Sequence, residues 1–166
     1  MLEIITLFKD ICFFKRGPQD VPYSLALLWM LLLVNAVVSF LALYMTADFL
    51  QTLLQIVVSL LLLLAGSYVI LAIGSKPGRF CQTASALLGA DTFISFFALP
   101  ALATLATGRG SAFVYLFLLA IMIWHWAVAG HIFRYALEKS LSVGLAVAFL
   151  YIAVAYQVMA LLFPDI

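Results

Sequence analysis

Three polar side chains that could share a proton or bind a ligand stand inside long apolar runs of the sequence. Asp91 is a carboxylic acid, His125 is an imidazole flanked by two tryptophans, and Asn35 carries an amide. A carboxylate and an imidazole in a low-dielectric setting can share a proton, as relay groups in membrane transporters do. Such groups are costly in lipid, so the rest of the chain is expected to shelter them.

The helical rise places these groups at a similar depth. At 1.5 Å per residue, Asp91 lies about 18 Å beyond the basic turn before its run, and His125 about 14 Å before the basic residues after its own. Asn35 lies about 16 Å into the first run by the same rise. Ser95 stands one turn beyond Asp91 on the same helix face. The sequence therefore predicts a buried polar cluster of Asn35, Asp91, Ser95 and His125.

This predicted cluster has three interpretations. In the first, it provides packing contacts between membrane helices, worth roughly 0.6 to 2 kcal/mol per polar pair, and Asp91 is protonated. In the second, it is a site for a proton or a ligand. In the third, Asp91 lies near the lipid interface with little burial. We favour the first interpretation at this point.

The composition is that of a membrane protein. Of the 166 residues, 67% are hydrophobic and 9% are charged, a balance that a soluble domain cannot cover with polar surface. Runs such as residues 60–64 lack the alternation of a β-barrel strand. The net charge of +1, without a dense basic stretch, argues against nucleic acid as a partner. The two cysteines fit no metal or redox motif, and we predict no catalytic residue, cofactor or metal.

Five apolar runs approach or exceed the roughly 20 residues that a membrane-crossing helix needs. Residues 1–16 are amphipathic and too short to span, which favours a helix on the membrane surface. The predicted fold is an all-α, five-transmembrane-helix bundle with an N-terminal interfacial amphipathic helix, in a single membrane domain of residues 1–166. The predicted spans are 24–45, 50–73, 84–107, 112–133 and 143–163, with a polar hinge at 134–141.

The basic residues predict the orientation of the bundle. With the N-terminus in the cytoplasm, seven of the eight lysines and arginines lie on the cytoplasmic side and only Arg109 lies outside. This distribution follows the positive-inside rule. The chain is therefore expected to be a multi-pass protein of the cell membrane, the bacterial inner membrane, with its C-terminus outside.

A second set of polar residues lies toward the outer half of the predicted bundle. Gln51, Gln55 and Ser59 recur every four residues along the second span, and Gln157 in the fifth span lies at a comparable depth. They predict either a water-filled outward vestibule or helix packing mediated by glutamine, and we favour the packing role.

Several short sequence features follow one another from residue 76 onward. A Gly-Arg-Phe turn at 78–80 is followed by Gln-Thr-Ala at 82–84, Pro100 lies in a helix of small residues, and the fourth span ends in residues 131–137. This pattern resembles bacterial members of the Yip1-domain membrane proteins. The resemblance implies a five-helix bundle with a cytoplasmic N-terminus and no catalytic residues. The motif that accompanies small-GTPase partners in eukaryotic members is missing here, so that role is not implied.

These features together predict a non-enzymatic integral membrane protein. It would act as a scaffold, an assembly factor or an accessory subunit through helix and lipid contacts. Its expected partners are the lipid bilayer and either another membrane protein or a second copy of the chain. The alternative is a small transporter or channel with a buried proton- or ligand-binding site at Asp91 and His125. An intramembrane enzyme is the least favoured class.

Overall fold

A computed structural model describes residues 2–45 and 47–164, and this part of the chain is helical and contains no strand. The helices are α1 Leu2–Cys12, α2 Leu25–Leu43, α3 Phe49–Ile73, α4 Phe80–Ala106, α5 Ala112–Leu137 and α6 Leu141–Leu162. Five of them, α2 to α6, are long and apolar enough to cross a membrane. The predicted number of long apolar helices is thus confirmed, and the fold fits a multi-pass membrane protein.

Polar side chains at the helix starts explain where four of these helices begin. The side chains of Ser24, Asp48, Ser111 and Ser140 each accept a hydrogen bond from a backbone N–H in the first turn of α2, α3, α5 and α6. Such a cap satisfies one of the donors that a helix start leaves open and contributes about 1 kcal/mol. The short connections therefore carry the signals that separate one apolar run from the next.

The ends of two helices differ from the predicted bounds. α4 begins at Phe80, directly after a 3-10 turn at Pro77–Arg79, whereas the sequence placed its start at residue 84. The predicted polar hinge at 134–141 is helical up to Leu137, so only residues 138–140 connect α5 to α6. Polar residues near these ends suggest loops, but the backbone stays helical there, and Gln82 at the start of α4 donates from Nε2 to the Val21 carbonyl at 2.8 Å.

Ion pairs and hydrogen bonds join the helices at one end of the bundle, which we call the basic end. Lys76 Nζ lies 2.6 Å from Glu138 Oε2, and the Arg79 guanidinium pairs with the same carboxylate. These two cations lower the pKa of Glu138. Arg79 Nη1 also donates to the backbone oxygens of Tyr135 at 3.2 Å and Ala136 at 3.3 Å, which satisfies carbonyls at the end of α5. The turn that carries Arg109 lies at the opposite end.

Two glycines let α5 and α6 meet at the backbone. A Cβ atom added to Gly144 would lie 2.3 Å from the carbonyl oxygen of Gly130 and 2.9 Å from the backbone nitrogen of Arg134. Neither neighbour is a side-chain end that can swing away. Small residues of this kind allow close approach of membrane helices.

The N-terminal helix α1 packs against the bundle. Its buried face consists of Leu7, Phe8, Ile11 and Cys12. The ring of Phe8 covers Gly89 on α4 so closely that a Cβ atom added there would lie 2.3 Å from it. Trp124 on α5 donates from Nε1 to the carbonyl oxygen of Cys12 at 2.9 Å. α1 ends at Cys12, so it is shorter than the predicted 1–16 segment.

Candidate functional site

Asp91 on α4 is contacted by side chains from two other helices. Asn35 Nδ2 on α2 donates to Asp91 Oδ2 at 2.7 Å and to Thr92 Oγ1 at 3.0 Å. His125 Nε2 on α5 lies 3.3 Å from Asp91 Oδ1. The structure thus brings together the three residues that the helical rise placed at one level. We call Asn35, Asp91, Thr92 and His125 the Asp91 cluster.

The Thr92 hydroxyl fixes the orientation of Asn35, and Thr92 is not among the residues predicted for the cluster. It donates to the Leu88 carbonyl at 2.7 Å, so its lone pairs are free to accept from the amide nitrogen. Asn35 is only 4% exposed, and both of its bonds run from the same nitrogen. In the sequence, the one indication for Thr92 is that it follows Asp91. That adjacency does not show that Asp91 and Thr92 both accept a hydrogen bond from the Asn35 amide on α2.

A cavity of about 340 Å³, which we call the central cavity, adjoins the Asp91 cluster. All five long apolar helices, α2 to α6, line it. Its inner part contains Asp91 and His125, and its other lining residues reach Leu43 at the end of α2, Leu102 on α4 and Met159 on α6. The central cavity therefore extends from mid-bundle toward the end that carries Arg109.

Several polar side chains in the central cavity have unused hydrogen-bonding capacity. Gln55 on α3 is 1% exposed and lines the cavity, and its amide has no hydrogen-bond partner among the residues that the structure describes. The hydroxyls of Ser95 on α4 and Tyr151 on α6 line the same space and also lack a partner within residues 2–45 and 47–164. Ser95 and Tyr151 are half-buried, whereas Gln55 is buried, and buried polar groups are rarely left unpaired, so Gln55 indicates a space that holds water or a ligand.

The predicted outer stripe divides between two places. Gln55 and Ser59 line the central cavity, and Ser59 also donates to the Ile56 carbonyl at 2.9 Å. Gln51 instead lies in a separate recess beside Asp48, near the end of the bundle that carries Arg109. Ser95 from the predicted cluster lines the central cavity but makes no hydrogen bond to Asp91 among the described contacts.

Gln157 does not join the stripe. It is exposed on the outside of the bundle and does not line the central cavity. On α6 the lining residues Tyr151, Ala155 and Met159 recur every four residues and define the inward face. Gln157 follows Ala155 by two residues, about 200° round the helix. The predicted depth of Gln157 therefore does not indicate whether its side chain points into the bundle or away from it.

Behind the Asp91 cluster, on the side of α1, the Cys12 thiol is fully buried and lies 3.9 Å from the carbonyl oxygen of Ala90. Burial, with a further contribution from the negative charge of Asp91, raises the pKa of the Cys12 thiol to about 12. The thiol is therefore protonated at neutral pH and unreactive. Among residues 2–45 and 47–164, no group of His, Cys, Asp or Glu is arranged to hold a metal ion.

Comparisons of the chain with family models, curated proteins and solved structures give no match. The fold and the site by themselves fit a multi-pass α-helical membrane protein that has a cavity with an acid and an imidazole in its largely apolar wall. The resemblance to Yip1-domain proteins stays a prediction.

Proposed function

We propose that the protein is a small transporter or channel that binds a proton or a small polar solute at the Asp91 cluster. The observation that supports this function is the central cavity, in which an acid and an imidazole lie with unpartnered polar groups. Contacts that only lock helices together need no such cavity. The geometry therefore supports a transporter or channel, which is the alternative prediction from the sequence, over a scaffold.

The chemistry of this proposal centres on the Asp91 carboxylate. Asn35 holds Oδ2 in place, and His125 lies close enough to Oδ1 to exchange a proton with it. A carboxylate offers about four lone-pair sites, so two contacts leave room for a solute. Acid and imidazole side chains inside membrane spans are characteristic of proton relays and solute pathways.

The ends of the bundle suggest the direction of access. The central cavity reaches toward the Arg109 end, whereas Gly130 packs on Gly144 and Glu138 holds two cations at the basic end. We propose a resting state that is open away from the basic end, with the basic end in the cytoplasm. Transport would require the α5–α6 contact at Gly144 to loosen.

Flux through proteoliposomes tests the proposed function. Proton uptake driven by a membrane potential should exceed that of empty liposomes, and Asp91→Asn should return it to the empty level. Asp48→Asn removes the same charge outside the central cavity and keeps an N-cap acceptor on α3, so it should leave flux unchanged. Equal flux in wild-type and empty liposomes, for protons and for the solutes described below, would contradict the proposal.

A scaffold or accessory subunit is the second candidate, and one observation favours it. Phe13 and Phe14 are 55% and 47% exposed beside exposed Lys15 and Arg16. Aromatic and basic side chains together are typical of membrane interfaces, so this segment fits lipid contact and the predicted interfacial position of α1. Purification in mild detergent with a stoichiometric partner, together with no flux, would support this function instead.

The membrane and the orientation are also proposals. We propose the bacterial inner membrane, with the N-terminus in the cytoplasm and the C-terminus outside. Five spans with basic residues concentrated at one end support this orientation. A reporter fused to the C-terminus should be active outside the cytoplasm, and activity inside would exclude the orientation.

A further inference from the structure

We infer that the central cavity takes a small organic monocation, a protonated amine with a compact apolar body. This inference rests on the proposed function and names the class of solute. The central cavity contains a single carboxylate, Asp91, and no lysine or arginine among its described lining residues. An anion would be repelled by Asp91, and the one imidazole among these lining residues, His125, already faces that same carboxylate.

The hydrogen-bonding capacity of the cavity matches an ammonium group. Asn35 occupies one site on Asp91, and the 3.3 Å separation from His125 is long for a charge-assisted bond, so the carboxylate keeps acceptor capacity. An ammonium group has three donors. One could go to Asp91, and the others to oxygen atoms of Gln55 and Ser95, which have no described partner. The unpartnered and almost fully buried Gln55 is the independent sign of a ligand.

The remaining wall favours an organic over an inorganic cation. Leu60, Leu63, Leu87, Leu102 and Met159 face the central cavity. A hard metal ion such as calcium takes six to eight oxygen ligands, which this apolar wall cannot supply. At the roughly 30 Å³ that a water occupies in the liquid, the volume accommodates on the order of ten non-hydrogen atoms. A single amine on a small hydrocarbon ring fits both the charge and the size.

Equilibrium dialysis of the full chain in lipid nanodiscs tests the inference with three probes of similar shape. Cyclohexylammonium carries the positive charge, cyclohexanol is neutral, and cyclohexanecarboxylate is negative. Empty nanodiscs correct for partition into lipid. The ammonium should bind at least tenfold more tightly than the other two, and Asp91→Asn should weaken it about tenfold or more because a buried charged partner is lost. Asp48→Asn is the matched control and should bind like the wild type.

A second variant protects the test against misfolding of Asp91→Asn. Ala155→Leu leaves the carboxylate intact but places a larger side chain in the central cavity, and it should also abolish binding. Cyclohexanol binding as tightly as the ammonium, with no effect of Asp91→Asn, would overturn the cation inference and leave a polar-solute site in place. Binding of none of the probes, with potential-driven proton flux intact, would overturn the inference and leave a proton pathway. Absence of both would remove the inference and the proposed function together.

Discussion

Replacing Gly89 by alanine should release α1 from the bundle. The added Cβ atom would lie 2.3 Å from the Phe8 ring, which is itself buried, so the two groups cannot both keep their places. Overpacking of this kind costs about 1 to 3 kcal/mol. The gain in helix propensity from Gly to Ala acts on α4 whether or not α1 is docked, so it does not offset the loss of docking. We therefore expect the undocked fraction to rise roughly 5- to 150-fold.

Cys12 reports the docking of α1 because its thiol is fully buried only in the docked state. Its pKa is raised to about 12, against 9.0 for a free thiol, so complete release would raise the thiolate fraction at about pH 8 roughly 10³-fold. The assay is the rate of maleimide labelling in nanodiscs, in a Cys81→Ala background that removes the other cysteine. Gly89→Ala should raise this rate 5- to 150-fold, below the ceiling for complete release.

Two controls make the test specific to the contact between α1 and α4. Gly78→Ala adds the same methyl group where no atom lies within 4 Å, and it should leave the labelling rate unchanged. In a Phe8→Ala background, Gly89→Ala should add little, because the clashing ring is already gone. A labelling rate in Gly89→Ala equal to that of the parent would refute the docking of α1 on Gly89.

Three further predictions concern other contacts. Gly144→Ala should lower the thermal midpoint in detergent, because its Cβ atom would meet the backbone of Gly130, and an unchanged midpoint would contradict the close approach of α5 and α6. The lowered pKa of Glu138 stabilises the fold above its ordinary value of 4.5, and this contribution disappears as the pH falls through the lower native pKa. Glu138→Gln should therefore flatten acid unfolding curves measured by circular dichroism, and parallel curves would count against the ion pairs. Trp124→Phe should raise Cys12 labelling, because it leaves a buried carbonyl unpaired, whereas equal labelling would show that this hydrogen bond does not hold α1.

The number of long apolar helices and the level of the central polar residues could be predicted from the sequence because both follow from fixed helix geometry. A helix of about 20 apolar residues matches the thickness of the bilayer core. The rise per residue converts the number of residues from the end of a helix into a depth. Asn35, Asp91 and His125 meet for this reason.

The rotation of each helix about its axis could not be predicted in the same way. α6 carries too few polar residues to form a polar face, so no such face indicates which residues point inward. Gln157 is therefore predicted as a cavity residue from its depth alone, and it lies on the outside of the bundle. Tyr151, which is not among the predicted site residues, lines the central cavity. For α1 the amphipathic pattern was recognised, but the pattern does not specify whether lipid or protein covers the apolar face. In the structure, Phe8 of that face packs on Gly89 of α4, and Trp124 of α5 donates a hydrogen bond to the carbonyl oxygen of Cys12.

The attachment of α1 also fixes an order of events during synthesis. α1 leaves the ribosome before its partners Gly89 and Trp124, which follow it by about 80 and 110 residues. At a typical 5 to 20 residues per second, this delay lasts roughly 5 to 20 seconds. During that time the apolar face of α1 requires another cover, which a membrane interface can provide. α1 therefore reaches its final position only after α4 and α5 have been made.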